Sequence, residues 1–489
     1  MFNASHSPVL CDILKHSNDT PDKVALVEGT NRITYSQLVA NIAGAARYLR
    51  SMDVKTGDRI LLAARKEVEF VYLYFAAHLL GIVNVVVDAA APRERLDYIV
   101  GIVKPVAMFG TAVDASGYNF TPFHEVTFDR ATLDRKILPS LKPTDVADVM
   151  FTTGTTGVPK GVCLSHANIA ASASNTNGFI GTCDQDVEAL ALPLSHSFGL
   201  GRLRCVLTVG ATLVLVGNFA NLKVFFNVIA QEHVTGFGMV PAVWQYIKRL
   251  SGRRIGQFAD QLRYIEIGSA ALPVEDKRLL MELFPHTRIC MHYGLTEASR
   301  AMFCEFHESA DNLETIGHPA SKLVEVCILD DQGEPVADGI DGEICVRGNM
   351  VVSSYFLDSD NDGSFFGEWF RTGDWGHRGT DGCYYLTGRK KELINVGGEK
   401  VSPVTIERAI TSLGVADCAC IAIPDPNGVL GEVPKAFLLK GNVEIDVDEL
   451  RQQLSQLLPP HEIPVQWEWV DSIPRTSSGK IQRLKLKRD

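Results

Sequence analysis

The sequence predicts an α/β protein, with a large N-terminal domain of helix-covered sheets, a small β-barrel-like unit and a small mobile α+β C-terminal domain. Helical patterns alternate with short apolar strands over about the first 310 residues, which is typical of parallel sheets covered by helices. From about residue 322, short strands alternate with Asp/Gly turns, which favours an antiparallel or barrel-like unit. After Arg389, a charged connector that contains glycines leads into a tail of about ninety residues with helices and strands of its own.

These changes of pattern set the predicted domain boundaries. We predict an N-terminal domain over residues 1–388, whose β-rich part covers about 322–388, and a C-terminal lid domain over 389–489. In the first part, the patterns predict a helix over 33–49 and strands over 59–63, 83–87, 149–151, 187–192, 212–216, 236–240 and 264–267. Further strands are predicted over 324–329, 335–336, 342–347 and 384–387. In the tail, helices over 404–413 and 446–458 accompany strands over 415–423 and 434–439.

Residues 70–87 carry no formal charge over 18 positions, which makes them a candidate membrane span. The segment contains His78, Gly81 and Asn84, however, and it changes character midway. Residues 70–80 are helix-like, residues 82–87 are rich in β-branched side chains, and Gly81 suits the end of the helix between them. We therefore predict a buried helix that leads into a buried strand, and no membrane span. The first ten residues lack the basic and apolar regions of a signal peptide.

The composition is that of a soluble globular protein. The chain has 489 residues, 47 Lys and Arg against 58 Asp and Glu, a net charge of −11 and 46% apolar residues. This balance excludes disorder and a disulfide scaffold, and it argues against non-specific binding to nucleic acid, which needs a basic face. None of the eleven cysteines forms a CxxC pair, the spacing of many metal sites. Cys418 and Cys420 are two residues apart on a predicted strand, so that both thiols lie on the same face, as buried apolar residues do. Reduced thiols in the cytoplasm are the expectation.

The segment with the strongest chemical signal is TTGTTGVPKG at residues 152–161, which follows an apolar strand. Its glycines and threonines can present backbone N–H groups and hydroxyls to a polyphosphate, together with the ammonium of Lys160. It is not a Walker loop, because the GK[ST] ending is absent. A threonine-rich surface turn is the alternative interpretation.

Five segments in order resemble the adenylate-forming superfamily, which includes acyl- and aryl-CoA synthetases, peptide-synthetase adenylation domains and beetle luciferases. They are TTGTTGVPKG at 152–161, YGLTE at 293–297, RTGD at 371–374, GRKKELI at 388–394 and PRTSSGK at 474–480. The resemblance spans about residues 20–485. It implies an ATP- and Mg²⁺-dependent reaction in which a carboxylate attacks the α-phosphate of ATP, so that the site must supply cations and hydrogen-bond donors.

The resemblance also implies a role for each nucleotide-binding residue. The residues implied at the β- and γ-phosphates are Thr152, Thr153, Gly154, Thr155, Thr156, Gly157 and Lys160. Glu297 is implied as a Mg²⁺ ligand, and Thr296 as a donor to the α-phosphate. The residues implied along the adenine are Tyr293, Gly294, Gly268, Ser269 and Ala270.

Two residues of the RTGD and hinge segments are implied at the ribose. Asp374 would accept from both ribose hydroxyls, and Arg389 would make a second ribose contact. The alternatives are that Asp374 caps a turn and that Arg389 is a surface cation.

Lys480 is implied as the catalytic cation between the acid and the α-phosphate, although a lysine in a basic tail is usually solvated. Lys391 is the expected hinge, about which the C-terminal domain rotates between the two half-reactions.

The acyl pocket is implied at the segment that contains His196, Phe198 and Gly199, with Gly268 and His292 on its other sides. Residues 192–200 hold no carboxylate, whereas relatives that activate amino acids usually have an aspartate here. We therefore expect an acid without an α-amino group, and His292 narrows the pocket. His196 as a core histidine is the alternative. Arg202, Arg204 and Glu266 are left open: an arginine binds a polar substrate head or packs against the protein surface, and Glu266 faces the pocket or supports its strand.

The second substrate is expected to be a thiol. Gly397 and Gly398 lie in a stretch that resembles the border of the thiol tunnel in acyl-CoA synthetases, which favours coenzyme A. The alternatives are the phosphopantetheine of a carrier protein and, less favoured, an amine. A catalytically silent nucleotide-binding regulator is a further alternative, against which Lys480, Glu297 and Asp374 argue.

Overall fold

The structure is a computed structural model that describes residues 7–133, 138–153, 159–439, 446–475 and 481–487. Within these residues the α-helices are α1 (Pro8–Asp19), α2 (Tyr35–Ser51), α3 (Val68–Leu80), α4 (Arg93–Val103), α5 (His166–Ile180), α6 (Ser197–Thr208), α7 (Leu222–Gln231), α8 (Pro241–Ser251), α9 (Val274–Leu283), α10 (Pro403–Ser412), α11 (Val447–Leu454) and α12 (Arg483–Leu486).

The strands of the same residues fall into an N-terminal and a C-terminal series. The first series is β1 (Val24–Glu28), β2 (Asn31–Thr34), β3 (Arg59–Ala64), β4 (Val83–Asp88), β5 (Ala107–Gly110), β6 (Phe120–Thr121), β7 (Val146–Thr153), β8 (Pro159–Ser165), β9 (Val187–Leu190), β10 (Thr212–Leu215), β11 (Gly236–Met239), β12 (Tyr264–Ile267), β13 (Arg288–Tyr293) and β14 (Met302–Glu305). The second is β15 (Glu325–Leu329), β16 (Gly342–Arg347), β17 (Phe365–Phe366), β18 (Trp369–Arg378), β19 (Tyr384–Arg389), β20 (Ile394–Val396), β21 (Glu399–Val401), β22 (Cys418–Pro424), β23 (Glu432–Leu439) and β24 (Gln466–Val470).

The chain divides into two compact units. The first unit is Met1–Val326 with Val346–Phe370, and the second is Cys327–Cys345 with Arg371–Asp489. The division therefore runs through the strands β15, β16 and β18.

The first unit is built on two mainly parallel sheets. One has the order β14-β13-β12-β11-β9-β10-β1-β2 and is antiparallel only at its two edge pairs. The other has the order β6-β5-β3-β4-β7-β8 and is antiparallel only between β7 and β8. These sheets confirm the predicted α/β class, in which strands buried on both faces alternate with covering helices.

The uncharged segment 70–87 forms a helix and a strand, as its pattern predicts. Helix α3 is buried along nearly its whole length and ends at Gly81, whose φ is +66°. A Cβ at this position would lie 2.5 Å from Leu141 Cδ2, so that both the backbone angle and the packing require glycine. Strand β4 follows in the centre of the second sheet. In the part of the chain that the structure describes, no helix has the length and apolar character of a membrane span.

The second unit combines an antiparallel hairpin with an α+β tail. Strand β19 pairs antiparallel with the end of β18, from Asp374 to Arg378. In the tail, β22-β23-β24 form a three-stranded sheet whose core includes Ile406 and Ile410 of α10 and Leu450 of α11. The strand predicted over 335–336 is wrong, because Pro335 forms only an isolated bridge to Leu329.

Candidate active site

In the first unit, the side chain of Tyr355 contacts two residues of the predicted nucleotide site, the cation Lys160 and the carboxylate Glu297. The ammonium of Lys160, in β8, lies 4.8 Å from the ring centroid of Tyr355 and donates to the main-chain oxygen of Asp360 at 3.1 Å. The hydroxyl of Tyr355 donates to Glu297 Oε1 at 2.8 Å. Burial and the neighbouring Glu297 carboxylate raise the pKa of Tyr355 above its usual range. We call Lys160, Tyr355 and Glu297 the phosphate-side cluster.

Backbone contacts fix the segments that carry this cluster. Tyr355 forms an antiparallel bridge with Val162, two residues beyond Lys160 in β8. Three residues earlier in the same segment, the Val352 N–H donates to the main-chain oxygen of Glu297 at 2.9 Å. The segment 351–356 therefore joins the strand of Lys160 to the loop of Glu297 independently of their side chains.

The threonine loop is described only at its base. Thr152 pairs with Lys160, and Thr153 with Pro159, in the register of β7 and β8. Gly154, Thr155, Thr156, Gly157 and Lys480 lie outside the described residues, so that their predicted roles stay predictions.

The YGLTE segment begins at the last residue of β13, Tyr293, and forms a tight loop. A Cβ at Gly294 would lie 2.4 Å from the Arg300 amide nitrogen, so that no larger residue fits there. Tyr293 and Thr296 are half-buried, and Glu297 is buried. The loop thus brings Thr296 and Glu297 to the carboxyl end of a parallel strand, the usual position of ligand sites in α/β sheets.

The predicted acyl-pocket residues come together at the start of α6. The rings of Phe198 and His292 meet edge to face with centroids 4.6 Å apart. A Cβ at Gly268 would lie 2.1 Å from His292 Cε1, so that the imidazole fills the space that a side chain of residue 268 would take. A Cβ at Gly199 would lie 2.2 Å from the Pro193 oxygen, which fixes the turn before the helix.

Two other residues of this region lie at the surface. Ser269 is exposed and adopts a left-handed φ of +78°, and Ala270 beside it is half-buried. His196, immediately before α6, is exposed, so that its interpretation as a core histidine is wrong.

Glu266 lies beneath this pocket, fully buried among three basic side chains. Its carboxylate lies 2.6 Å from Arg300 Nε, 3.3 Å from Arg202 Nη1 and 2.7 Å from His292 Nδ1. Burial alone would raise the pKa of Glu266, but the two arginines and the histidine hold it below its usual range. Glu266 therefore supports the strand and orients His292, and its charge is already balanced.

The two arginines of α6 lie two positions apart and therefore face opposite sides of the helix. Arg202 also contacts Glu188, whereas Arg204 binds Asp148 Oδ2 at 2.6 Å and the Tyr74 hydroxyl at 2.8 Å. Both guanidinium groups are buried, so that packing of either arginine against the protein surface is wrong. Helix α6 thus connects the start of the acyl segment to both sheets through internal ion pairs.

The predicted ribose residues lie together in the second unit. Asp374 and Arg389 are register partners in β18 and β19, and Arg389 Nε lies 2.6 Å from Asp374 Oδ1. Asp374 is buried, its backbone N–H donates to Thr372 Oγ1 at 3.0 Å, and the Arg389 side chain is about one third exposed. Arg389 is therefore a paired cation rather than an isolated surface one.

The connector and the predicted thiol-side glycines are also in the second unit. Lys390 binds the buried Glu343 at 2.8 Å, whereas Lys391 is exposed. Gly397 and Gly398 form the β20–β21 turn with φ of +61° and +100°, and both are exposed. The hinge role of Lys391 and the thiol-side role of the glycines stay predictions.

Tyr355, Asp360 and Arg300 were missed by the sequence reasoning. No motif spacing connects Tyr355 to Lys160, which lies almost two hundred residues earlier. Arg300 follows Glu297 by three residues, but its positive φ of +61° and its contact with Glu266 depend on the folded loop. These residues act through long-range contacts that a sequence pattern does not carry.

Comparison with models of protein families shows to which family the chain belongs. The model of the AMP-binding enzyme family matches residues 14–356, and that of the AMP-binding enzyme C-terminal domain matches 405–480. The chain belongs to the AMP-binding enzyme family. This confirms the resemblance to the adenylate-forming superfamily on which the site residues were assigned.

Individual CoA ligases and a solved structure resemble the chain over most of its length. The 2-succinylbenzoate–CoA ligase of Bacillus licheniformis is 28% identical over 486 residues, which cover 96% of this chain and 97% of the relative. The sulfoacetate–CoA ligase of Cupriavidus necator is 32% identical over 406 residues, 81% of this chain and 75% of the relative. The o-succinylbenzoate coenzyme A synthetase of Bacillus subtilis, solved in complex with ATP and magnesium ion, aligns with a TM-score of 0.86 and 26% identity, over 97% of this chain and 99% of that one.

Proposed function

We propose that the chain is an ATP- and Mg²⁺-dependent ligase that converts a carboxylic acid without an α-amino group into its coenzyme A thioester. The observation that carries the proposal is the phosphate-side cluster, in which Lys160 and Glu297 are held on either side of Tyr355. Similarity to CoA ligases over 81% and 96% of the chain supports the acceptor.

The first half-reaction is attack of the substrate carboxylate on the α-phosphorus of ATP. A new P–O bond forms, the bond to the β-phosphate bridge breaks, and pyrophosphate leaves. Lys160 neutralises the charge that accumulates on the leaving group, while Thr296 donates to the α-phosphate. Asp374 and Arg389 bind the ribose, and Lys480 brings the two anions together.

The second half-reaction is attack of the coenzyme A thiol on the carbonyl carbon of the acyl-adenylate. The thioester C–S bond forms, the bond between acyl carbon and AMP oxygen breaks, and the thiol proton is lost to solvent. Gly397 and Gly398, which carry no side chains, border the approach of the thiol in this proposal.

The donor set of the first unit fits Mg²⁺. Glu297 is buried, Oε1 accepts from Tyr355, and no hydrogen bond from the described residues reaches Oε2. One carboxylate together with substrate phosphates is a common ligand set for this ion. When bound, Mg²⁺ supplies positive charge to the phosphates.

The pocket favours a compact acid. His292 fills the space beside Gly268, and Phe198 packs against its ring. The Glu266 carboxylate beneath them is already paired with Arg202 and Arg300, so that it offers no partner to a substrate ammonium. An unpartnered ammonium buried here would cost on the order of several kcal/mol.

A pyrophosphate-exchange panel tests the proposal. We expect exchange with short acids to exceed exchange with long-chain acids, and each α-amino acid to be slower than its des-amino analogue. Coenzyme A is then added to the best acid and the product identified by mass spectrometry, with a holo carrier protein as the parallel acceptor. Faster exchange with an amino acid would contradict the acid class, and transfer to the carrier protein alone would contradict coenzyme A. Failure of every acid would favour a silent regulator.

A further inference from the structure

Tyr355 contacts two oppositely charged groups through two different parts of its side chain. The aromatic face lies against the Lys160 ammonium, with 4.8 Å from nitrogen to ring centroid. The hydroxyl donates to Glu297 Oε1 at 2.8 Å. We propose that Tyr355 is a positioning residue that sets the placement of Lys160 and Glu297 for the magnesium-bound pyrophosphate end of ATP. This inference rests on the proposed function.

The hydroxyl end determines which carboxylate oxygen of Glu297 is available. The phenolic O–H fills one acceptor site of Oε1 and fixes the orientation of the carboxylate, while Oε2 accepts no hydrogen bond from the described residues and is available to a cation. Partners of this kind orient metal-binding carboxylates, and their loss typically weakens metal binding by 10- to 100-fold.

The ring end determines where the Lys160 ammonium lies. Its hydrogen bond to the Asp360 main-chain oxygen uses one of three N–H donors, and the aromatic face attracts the cation without using another. The side chain of Lys160 is 29% exposed, so that its remaining donors can reach a polyphosphate. The Asp360 carboxylate is farther away, at 3.9 Å.

The fold of this region does not depend on the tyrosine hydroxyl. Main-chain contacts hold Tyr355 to Val162 and Val352 to the loop of Glu297, and Asn361 Oδ1 accepts from the Tyr355 amide at 2.8 Å. Removal of the hydroxyl therefore separates a role in positioning from a role in folding.

Three variants of the full chain test the inference, with ATP and Mg²⁺ as the probes. Tyr355→Phe keeps the ring and removes the hydroxyl, and Tyr355→Leu removes both. Tyr35→Phe is the matched control, since Tyr35 is also buried and its hydroxyl donates to the Ala211 oxygen at 2.7 Å, away from the cluster. Calorimetry measures ATP affinity in EDTA and in saturating Mg²⁺, and thermal unfolding confirms that each variant is folded.

The two ends of Tyr355 predict different results. Tyr355→Phe should keep the ATP affinity in EDTA within about twofold of wild type and reduce the gain on adding Mg²⁺ by about tenfold. Tyr355→Leu should in addition weaken ATP binding in EDTA by roughly threefold to tenfold. Tyr35→Phe should change neither quantity.

Two results would overturn the inference: a wild-type Mg²⁺ gain in folded Tyr355→Phe, or an equal loss of affinity in EDTA in both Tyr355 variants. A wild-type chain that binds no ATP in either condition would instead contradict the proposed function, so that the two failures are distinguishable.

Discussion

The two units hold their predicted nucleotide-binding residues in different ways. In the first, Lys160 and Glu297 come from segments far apart in the chain, which Tyr355 and main-chain contacts join. In the second, Asp374 and Arg389 are register partners on the neighbouring strands β18 and β19 and bind each other directly. The first arrangement exists only when the whole unit is folded, whereas the second is formed by one hairpin.

The ion pairs of the chain also differ in how deeply they are buried. Both arginines of α6 are buried in ion-pair networks of the first unit, and removing one member leaves the buried charges of the others less well balanced. Surface pairs of the second unit, such as Arg451 with Asp448, are solvated at both ends. We therefore expect removal of a buried charged partner to affect stability far more than removal of an exposed one.

The largest effect is expected on stability. Arg204→Met removes the buried guanidinium partner of Asp148, which is then left with His78 at 2.9 Å, and should lower the free energy of unfolding by about 3–5 kcal/mol. The matched variant Arg451→Met, in an exposed pair, should change it by about 0–1 kcal/mol. Urea unfolding of both full-length variants, followed by circular dichroism, makes the comparison. Equal destabilisation would contradict the distinction between buried and exposed ion pairs.

A smaller effect is expected at the ribose. Asp374→Ala removes an acceptor proposed to bind two hydroxyls in both ground and transition state, so that the Michaelis constant for ATP should rise by the equivalent of roughly 2–4 kcal/mol. Asp341→Ala is the control, because Asp341 also accepts from two residues of this hairpin, His377 and Thr387, but is exposed. An unchanged constant for Asp374→Ala would contradict the ribose assignment, and an equal rise in the control would indicate a disturbed hairpin.

The smallest effect is the pH dependence of one half-buried amine in the first unit. Lys66 donates to the oxygens of Ala191 at 3.0 Å and Leu192 at 3.4 Å, and desolvation lowers its pKa to about 8, although Asp88 opposes the shift. Because its folded-state pKa lies below the unfolded value of about 10.4, the charged form is disfavoured by folding. The free energy of unfolding should therefore rise between about pH 8 and pH 10.4, by about 1–2 kcal/mol after allowance for solvent screening.

Unfolding across this pH range in wild type and Lys66→Met measures the effect. The variant should lose the rise, whereas Lys55→Met, at an exposed lysine, should keep it. A rise that persists unchanged in Lys66→Met would contradict the lowered pKa.

Much of the fold could be predicted from the sequence, because the patterns that indicate helices and strands are local. The end of α3 at Gly81 and the start of β4 follow from the change from helical to β-branched residues, and β12 lies where its apolar run predicts. The strand predicted over 335–336 does not form, because two apolar positions are too few to specify a partner strand. Boundaries elsewhere moved by up to four residues, as at the C-terminal end of α11.

Residues of the site could be predicted only where they lie within a sequence motif of the family. Glu297, Asp374 and Lys160 belong to such motifs, whereas Tyr355 acts through contacts with two segments more than fifty residues away. The same reason explains Arg202 and Arg204. Their positions on one helix predict opposite faces, but Glu188 and Asp148 are partners that only the packed sheets bring to them.

The central claim is that the chain performs acid adenylation and thioester formation, and that these two reactions depend differently on its C-terminal residues. Lys480→Ala tests it most directly, with both half-reactions measured under single-turnover conditions. Adenylation should slow by at least ~10²-fold, the scale of losing one preorganised donor, while synthetic acyl-adenylate and coenzyme A should react at nearly the wild-type rate. Equal damage to both steps would contradict the division of labour, and an unimpaired first step would remove Lys480 from the reaction.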